Sequence, residues 1–124
     1  MKFMISQPMK DIPEKVIWNQ REEIRKFLES KGHELIDTFF MDEAPEDITH
    51  PSVYYLGRAI MNGLCKADAL ILAPGWRDAR GCIIEREIAY KYDIKVYEYV
   101  NNHMMYYPNW YSVNAVTPKP DSVE

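Results

Sequence analysis

Ala69-Leu70-Ile71-Leu72-Ala73-Pro74-Gly75-Trp76-Arg77-Asp78-Ala79-Arg80-Gly81-Cys82-Ile83-Ile84-Glu85-Arg86-Glu87-Ile88-Ala89 is the stretch whose reading decides the fold. Residues 69–73 are a short, wholly apolar run, the pattern of a strand covered on both faces. Pro74-Gly75 stops it, a polar loop follows, and Gly81 opens a helix. With Ile84 set at 0° and about 100° per residue, Ile88 falls at about 40°, Tyr92 at about 80° and Ala89 at about 140°. The stripe is centred near about 60°, and Glu85, at about 100°, lies inside it, while Arg86 and Glu87 lie about 120–140° away, toward solvent. A single acid therefore points at the core near a strand end, where open α/β sheets bind ligands. A buried carboxyl is costly unless it is hydrogen-bonded or put to use. Two readings follow. Glu85 is a nucleophile or general acid/base, or it pairs with Arg77 or Arg80 or caps the helix through backbone N–H groups.

Upstream, residues 2–6 form an apolar strand at the N-terminus, ending in Ser6-Gln7-Pro8-Met9, a turn with polar groups at the strand's carboxyl end. Pro13 suits the first turn of a helix over 13–31, with Val16, Ile17, Ile24, Phe27 and Leu28 as its apolar stripe and Gly32 to end it. Arg21, Glu22, Glu23, Arg25 and Lys26 read as the solvated face of that helix. Residues 33–37 read as the second strand, closing a strand–helix–strand unit of about 35 residues, the size of a right-handed crossover. Asp37 then sits on the same rim as Ser6, either binding ligand hydroxyls or opening a loop. That loop, residues 38–51, is acidic through Asp42, Glu43, Glu46 and Asp47, and long connections of this kind often serve as lids. Its charge argues against its holding phosphate. Pro51 or Ser52 opens a further helix to about Lys66, with Tyr55, Leu56, Ala59, Ile60, Gly63 and Leu64 at helical spacing. Downstream of the Glu85 helix, residues 94–100 alternate as a last strand. The chain thus divides into an α/β domain over 1–100 and an aromatic, Met-rich extension over 101–124. The extension either covers the domain or packs on a partner chain, and residues 118–122 read as frayed.

Composition narrows the function classes. At 124 residues the chain is one domain with one core. Its net charge of −4 supplies no basic field for polymeric nucleic acid, but a single nucleotide remains an acceptable partner. Cys65 and Cys82 form no C-x-x-C pair, and no Cys/His spacing points to zinc, so no metal is expected. Cys82, at a helix start, reads as a small packing residue. His33, His50 and His103 share no spacing and carry no assigned role. G-x-G-x-x-G and Walker patterns are missing, which removes the standard dinucleotide and nucleoside-triphosphate cradles, and no cofactor is expected. Without an apolar leader or an 18-residue apolar run, the expectation is a cytoplasmic protein with free thiols and no membrane partner.

Three features recur together: Met4-Ile5-Ser6-Gln7-Pro8-Met9, the Cys65-Lys66-Ala67-Asp68-Ala69-Leu70 entry to the central strand, and Gly75-Trp76-Arg77-Asp78-Ala79-Arg80-Gly81 followed by Glu85 and Ala89. Over residues 2–99 the chain resembles the nucleoside 2-deoxyribosyltransferase-like superfamily. More closely it resembles the small DUF4406 branch, common in phage and prophage genomes. The resemblance implies a Rossmann-like (flavodoxin-like) three-layer sandwich with a mostly parallel sheet of four to five strands. It also implies that a Glu at the place of Glu85 attacks the anomeric carbon of a 2′-deoxynucleoside. The base leaves, a deoxyribosyl ester forms, and a second base or water resolves it; related hydrolases act on deoxynucleoside monophosphates. Ser6, Gln7, Pro8 and Met9 would line the pocket with Gly75, Trp76, Arg77, Asp78, Arg80 and Gly81. Trp76 would stack on a base, and Arg77 or Arg80 would meet a phosphate. The chain departs from the pattern at three places: Ala59 where a sugar-holding acid is common, Ala79 beside Asp78 where a second acid is common, and Glu87 where a glycine often follows the nucleophile. Two further classes therefore stand beside the enzyme: a protein that binds a nucleotide-derived small molecule without chemistry, and an oligomeric interaction protein. A homo-oligomer is expected, because a tail so rich in Tyr, Trp and Met needs covering.

Overall fold

The computed structural model describes residues 1–38 and 43–107. Its elements are β1 (Lys2–Ser6), α1 (Glu14–Ser30), β2 (Glu34–Leu35), α2 (Pro51–Asn62), β3 (Ala69–Leu72), α3 (Arg80–Lys91), β4 (Lys95–Val100) and β5 (His103–Tyr107). Single 3-10 turns, Leu64–Lys66 and Trp76–Asp78, precede and follow β3. The five strands make one sheet in the order β2-β1-β3-β4-β5, parallel except for β5. The chain is thus an α/β protein with a mostly parallel sheet. Asp42 of the acidic loop, residues 108–111 of the aromatic run and residues 118–122, expected from the sequence to fray, lie outside the described residues.

Every residue of β3 is buried, as its unbroken apolar run requires. Strand alternation sends its side chains to two cores. Ala69 and Ile71 join Phe3, Ile5 and, from α1, Ile24 and Leu28. Leu70 and Leu72 join Met4, Leu64, Val96 and, from α3, Cys82, Ala89 and Tyr90. Helices therefore cover both faces. Full burial of one such Leu contributes about 2–3 kcal/mol.

The connections set the site. From β1 the chain crosses α1 to β2 on one side, then returns through α2 to β3 on the other side of β1. The winding reverses between β1 and β3, and the carboxyl ends of strands at such a reversal are where open α/β sheets bind ligands. Ser6 pairs with Leu72 at that end, and the Ala73 amide donates to the Ser6 carbonyl at 2.9 Å.

Four differences from the sequence reading have physical causes. The buried side of α3 carries Cys82, Glu85, Ala89 and Tyr90, at about 100–240° on the wheel above, while Ile84 is 43% exposed and Tyr92 76%. Small Cys82 and Ala89 let the helix lie close to the sheet, Ile88 packs at the edge of that core, and Ile83 and Ile84 face outward. In α1, Val16 is 54% exposed, because the buried stripe is Ile17, Arg21, Ile24 and Leu28. Only two residues of the expected 33–37 strand pair, since β2 is an edge held by β1 alone. The helix expected to reach Lys66 stops at Asn62, and Gly63 follows in close quarters. A Cβ there would lie 2.6 Å from Thr38 Cγ2, 2.7 Å from the Ala59 carbonyl oxygen and 2.9 Å from Met4 Sδ.

The start of the aromatic extension belongs to the sheet. Asn101 and Asn102 both take left-handed φ, 46° and 64°, as a two-residue hairpin turn requires, and β5 pairs back on β4 from Val100↔His103 to Val96↔Tyr107. Among the described residues, no helix is long and apolar enough to cross a membrane.

Candidate active site

Glu85 lies in the second turn of α3 and is 7% exposed. The Ser6 hydroxyl, carried to the rim by β1, donates to Glu85 Oε1 at 2.6 Å, the short distance typical of a hydroxyl bound to a carboxylate. Burial pushes the carboxyl up from 4.5 to about 7, against the opposing pull of the Ser6 bond and the positive charge of Arg21. The macrodipole of α3 adds little, because it fades beyond the first turn. Cys82, one turn earlier, is also buried, and burial lifts its thiol to about 11 despite a bond to Ser6; Glu85's charge acts in the same upward sense. The thiol is thus protonated at neutral pH, as befits a packing residue.

Neither arginine considered as a partner for Glu85 takes that place. Arg77 Nη1 donates to Glu98 Oε2 at 3.0 Å, and Arg80 is exposed. The arginine whose charge reaches Glu85 is Arg21, read from the sequence as part of a solvated face, yet only 3% exposed. Arg21 Nη2 donates to Thr38 Oγ1 at 2.6 Å and Nη1 to Gln7 Oε1 at 3.2 Å. Gln7 is held in turn, its Nε2 donating to the Ile17 carbonyl at 2.8 Å and to Gln20 Oε1 at 2.9 Å. Burial lowers the Arg21 guanidinium to about 10, opposed by the negative charges of Asp37, Glu22 and Glu85, so it stays charged at neutral pH. The signal for this residue was in the sequence. Ile17, Arg21, Ile24 and Leu28 follow the 4-3-4 spacing of a single buried stripe.

The loop after β3 forms a second cluster. Gly75 takes φ 88°, which a side chain rarely tolerates, and Pro8 Cγ would lie 3.4 Å from a Cβ at that position, so the loops after β1 and β3 approach here. Trp76, expected as a platform for a base, is instead 3% exposed and part of the core. Its indole N–H donates to Glu98 Oε2 at 2.8 Å, and the guanidinium carbons of Arg77 and Arg86 lie 4.7 and 5.2 Å from its ring centre. Arg86, expected in solvent, is half-buried by that stacking and by Tyr90. Glu98, on β4, accepts from both Trp76 and Arg77, and the sequence reading assigns it no role.

The remaining sequence-derived site residues fall around these two clusters. Pro8 and Gly81 are half-buried, and Met9, Asp37, Asp78 and Arg80 are exposed. The structure pairs Ser6 with Glu85, Gln7 with Arg21, and Trp76 and Arg77 with Glu98. Comparison with protein-family models finds no match, and comparisons with curated proteins and with solved structures find none either.

Proposed function

We propose that this protein cleaves or transfers the N-glycosidic bond of a (deoxy)nucleoside or nucleotide, with Glu85 as the nucleophile, on a Rossmann-like, flavodoxin-like frame. The order of the four parallel strands, β2-β1-β3-β4, agrees with the flavodoxin-like pattern, whose ligands bind between β1 and β3. The observation that carries the reading is the Glu85 carboxyl, buried and held at 2.6 Å by Ser6 at the carboxyl end of β1. Ionised Glu85 attacks the anomeric carbon as the C–N bond breaks, the bonding pair leaves with the base, and the base takes a proton from solvent water. Water or a second base then attacks the same carbon and frees the carboxylate. Ser6 orients the attacking group by donating to the oxygen that is not attacking. With its midpoint at about 7, Glu85 is about half ionised at neutral pH.

The test is release of free base from the four deoxynucleosides and their monophosphates, with and without an acceptor base. Wild type should exceed Glu85→Gln at least a hundredfold on one of them; equal release across the panel sinks the reading.

A second reading, binding without chemistry, is favoured by one observation: α2 carries no carboxylate to hold a sugar. Under that reading, calorimetry shows nucleotide binding and no product accumulates in the cell. The expected homo-oligomer has a physical motive in the same helix. None of the residues of α2 is fully buried, and Val53 and Met61 are 65% and 64% exposed.

A further inference from the structure

Gly57 stands at the middle of α2, where nothing described in this chain calls for a glycine. A Cβ there would meet no described residue within 4 Å, and its φ is not left-handed. A glycine inside a helix weakens it relative to alanine, so an open one is a cost without a return inside the monomer. One turn to either side stand Val53 and Met61, 65% and 64% exposed. Residues four apart form one ridge along a helix. Val53, Gly57 and Met61 therefore make a row with two large apolar ends and a gap at its centre. The row is uncharged. Arg58, the single charged residue of α2, lies on the neighbouring row, its guanidinium carbon 5.8 Å from the Tyr54 ring centre. The apolar surface continues onto α3. Leu56 lies 3.9 Å from the place of a Cβ at Gly81, and Ala59 packs against the core of Cys82, Ala89 and Tyr90, so α2 and α3 cover the same face of the sheet. On α3, Ile83 and Ile84 are exposed as well.

We propose that this face is where two copies of the chain meet, α2 crossing its counterpart antiparallel about a two-fold axis at Gly57. Under that operator Val53 of one copy meets Met61 of the other, and the two glycines face each other, letting the backbones approach more closely than a Cβ would allow. The charges fit the same arrangement. The chain carries a net charge of −4, so two copies repel, yet α2 holds no carboxylate. Glu46 and Asp47, both exposed, lie just before α2, and exposed Lys66 lies just after it. An antiparallel crossing brings the acidic end of each copy toward the basic end of the other. Asp68, close to Lys66 in the chain, is taken up by the Lys2 amide at 2.8 Å. The outer strip of α2, about 18 Å long and about 10–12 Å wide, is smaller than the roughly 800 Å² per partner that a stable dimer buries. The contact therefore takes in Ile83, Ile84 and the charged ends as well. This interface is independent of the chemistry assigned to Glu85.

Sedimentation equilibrium of the full chain tests the interface. Wild type should weigh twice the 14.6 kDa of one chain, at concentrations of about 50 μM. Gly57→Glu and Val53→Glu each put a like charge on both sides of the crossing without entering the core. Each should weaken association at least a hundredfold and give folded monomers, with circular dichroism like that of wild type. If Gly57→Glu does not fold, Val53→Glu decides. Val16→Glu, at a 54% exposed site on α1 across the sheet, should remain a dimer. With Cys65→Ser removing the exposed thiol, Gly57→Cys should close a disulfide between two copies under mild oxidation, since only a close crossing brings those positions within reach. Wild type that stays monomeric at about 200 μM overturns the proposal. So does a dimer indifferent to both Gly57→Glu and Val53→Glu, or one that Val16→Glu dissociates equally.

Discussion

Replacing Glu85 with Gln should make the protein more stable at alkaline pH and leave it little changed in acid. Gln keeps the size of the side chain and an oxygen to accept the Ser6 hydroxyl, so the substitution isolates the charge. In the unfolded chain the carboxyl titrates near 4.5, and in the fold near 7. Between these values the folded protein holds a proton that the unfolded chain has lost, so stability falls as pH rises through that window. At about 1.4 kcal/mol per pH unit, ionised Glu85 opposes folding by about 3 kcal/mol above pH 7. Below 4.5 both states are protonated and the term disappears. Urea unfolding of wild type and Glu85→Gln, at half-unit steps from pH 4 to 8.5, gives the difference directly, and the titrations of all other groups cancel in it. The variant should gain about 3 kcal/mol on wild type across the series, most of it between pH 5 and 7. A difference flat to within about 0.5 kcal/mol would show that Glu85 titrates alike in both states, and the buried, desolvated carboxyl would be refuted.

The remaining expectations concern the surroundings of that group. Base release should rise with pH through about 7 and level off above it, because the nucleophile must be ionised; Ser6→Ala should shift the rise upward and lower the plateau about tenfold or more. Gly63→Ala should destabilise by about 2 kcal/mol or more in urea unfolding, since its Cβ meets a backbone carbonyl at 2.7 Å. Glu98→Gln should cost about 1–3 kcal/mol in the same assay, because it removes the charge shared by the Trp76 indole and the Arg77 guanidinium.

Sequence reading placed the central strand, the reversal into α3 and the inward Glu85, because apolar runs and Pro-Gly stops are local signals. It placed Glu85 inward for an inexact reason. The arc through Ile84 and Ile88 includes Glu85, but the sheet accepts the small face of Cys82 and Ala89, and Glu85 belongs to both arcs. The charge of Arg21 points to solvent, whereas its spacing with Ile17, Ile24 and Leu28 puts it in the buried stripe. Its burial depends on acceptors at Gln7 and Thr38, distant in sequence, which no periodicity reports. The burial of Trp76 likewise depends on a distant partner, Glu98, two elements downstream. The β4–β5 hairpin was legible in principle. Asn101-Asn102 is a pair suited to left-handed φ, but the run of aromatics beyond it drew the boundary at 101 instead.

Glycosidic chemistry at a buried carboxylate leaves a covalent mark, and acid quenching with peptide mass spectrometry looks for it most directly. In protein quenched while turning over a deoxynucleoside or its monophosphate, the peptide bearing Glu85 should carry one deoxyribosyl unit, and Glu85→Gln should carry none. Release of base with no adduct on that peptide, or an adduct undiminished in Glu85→Gln, would contradict the assignment of Glu85 as nucleophile.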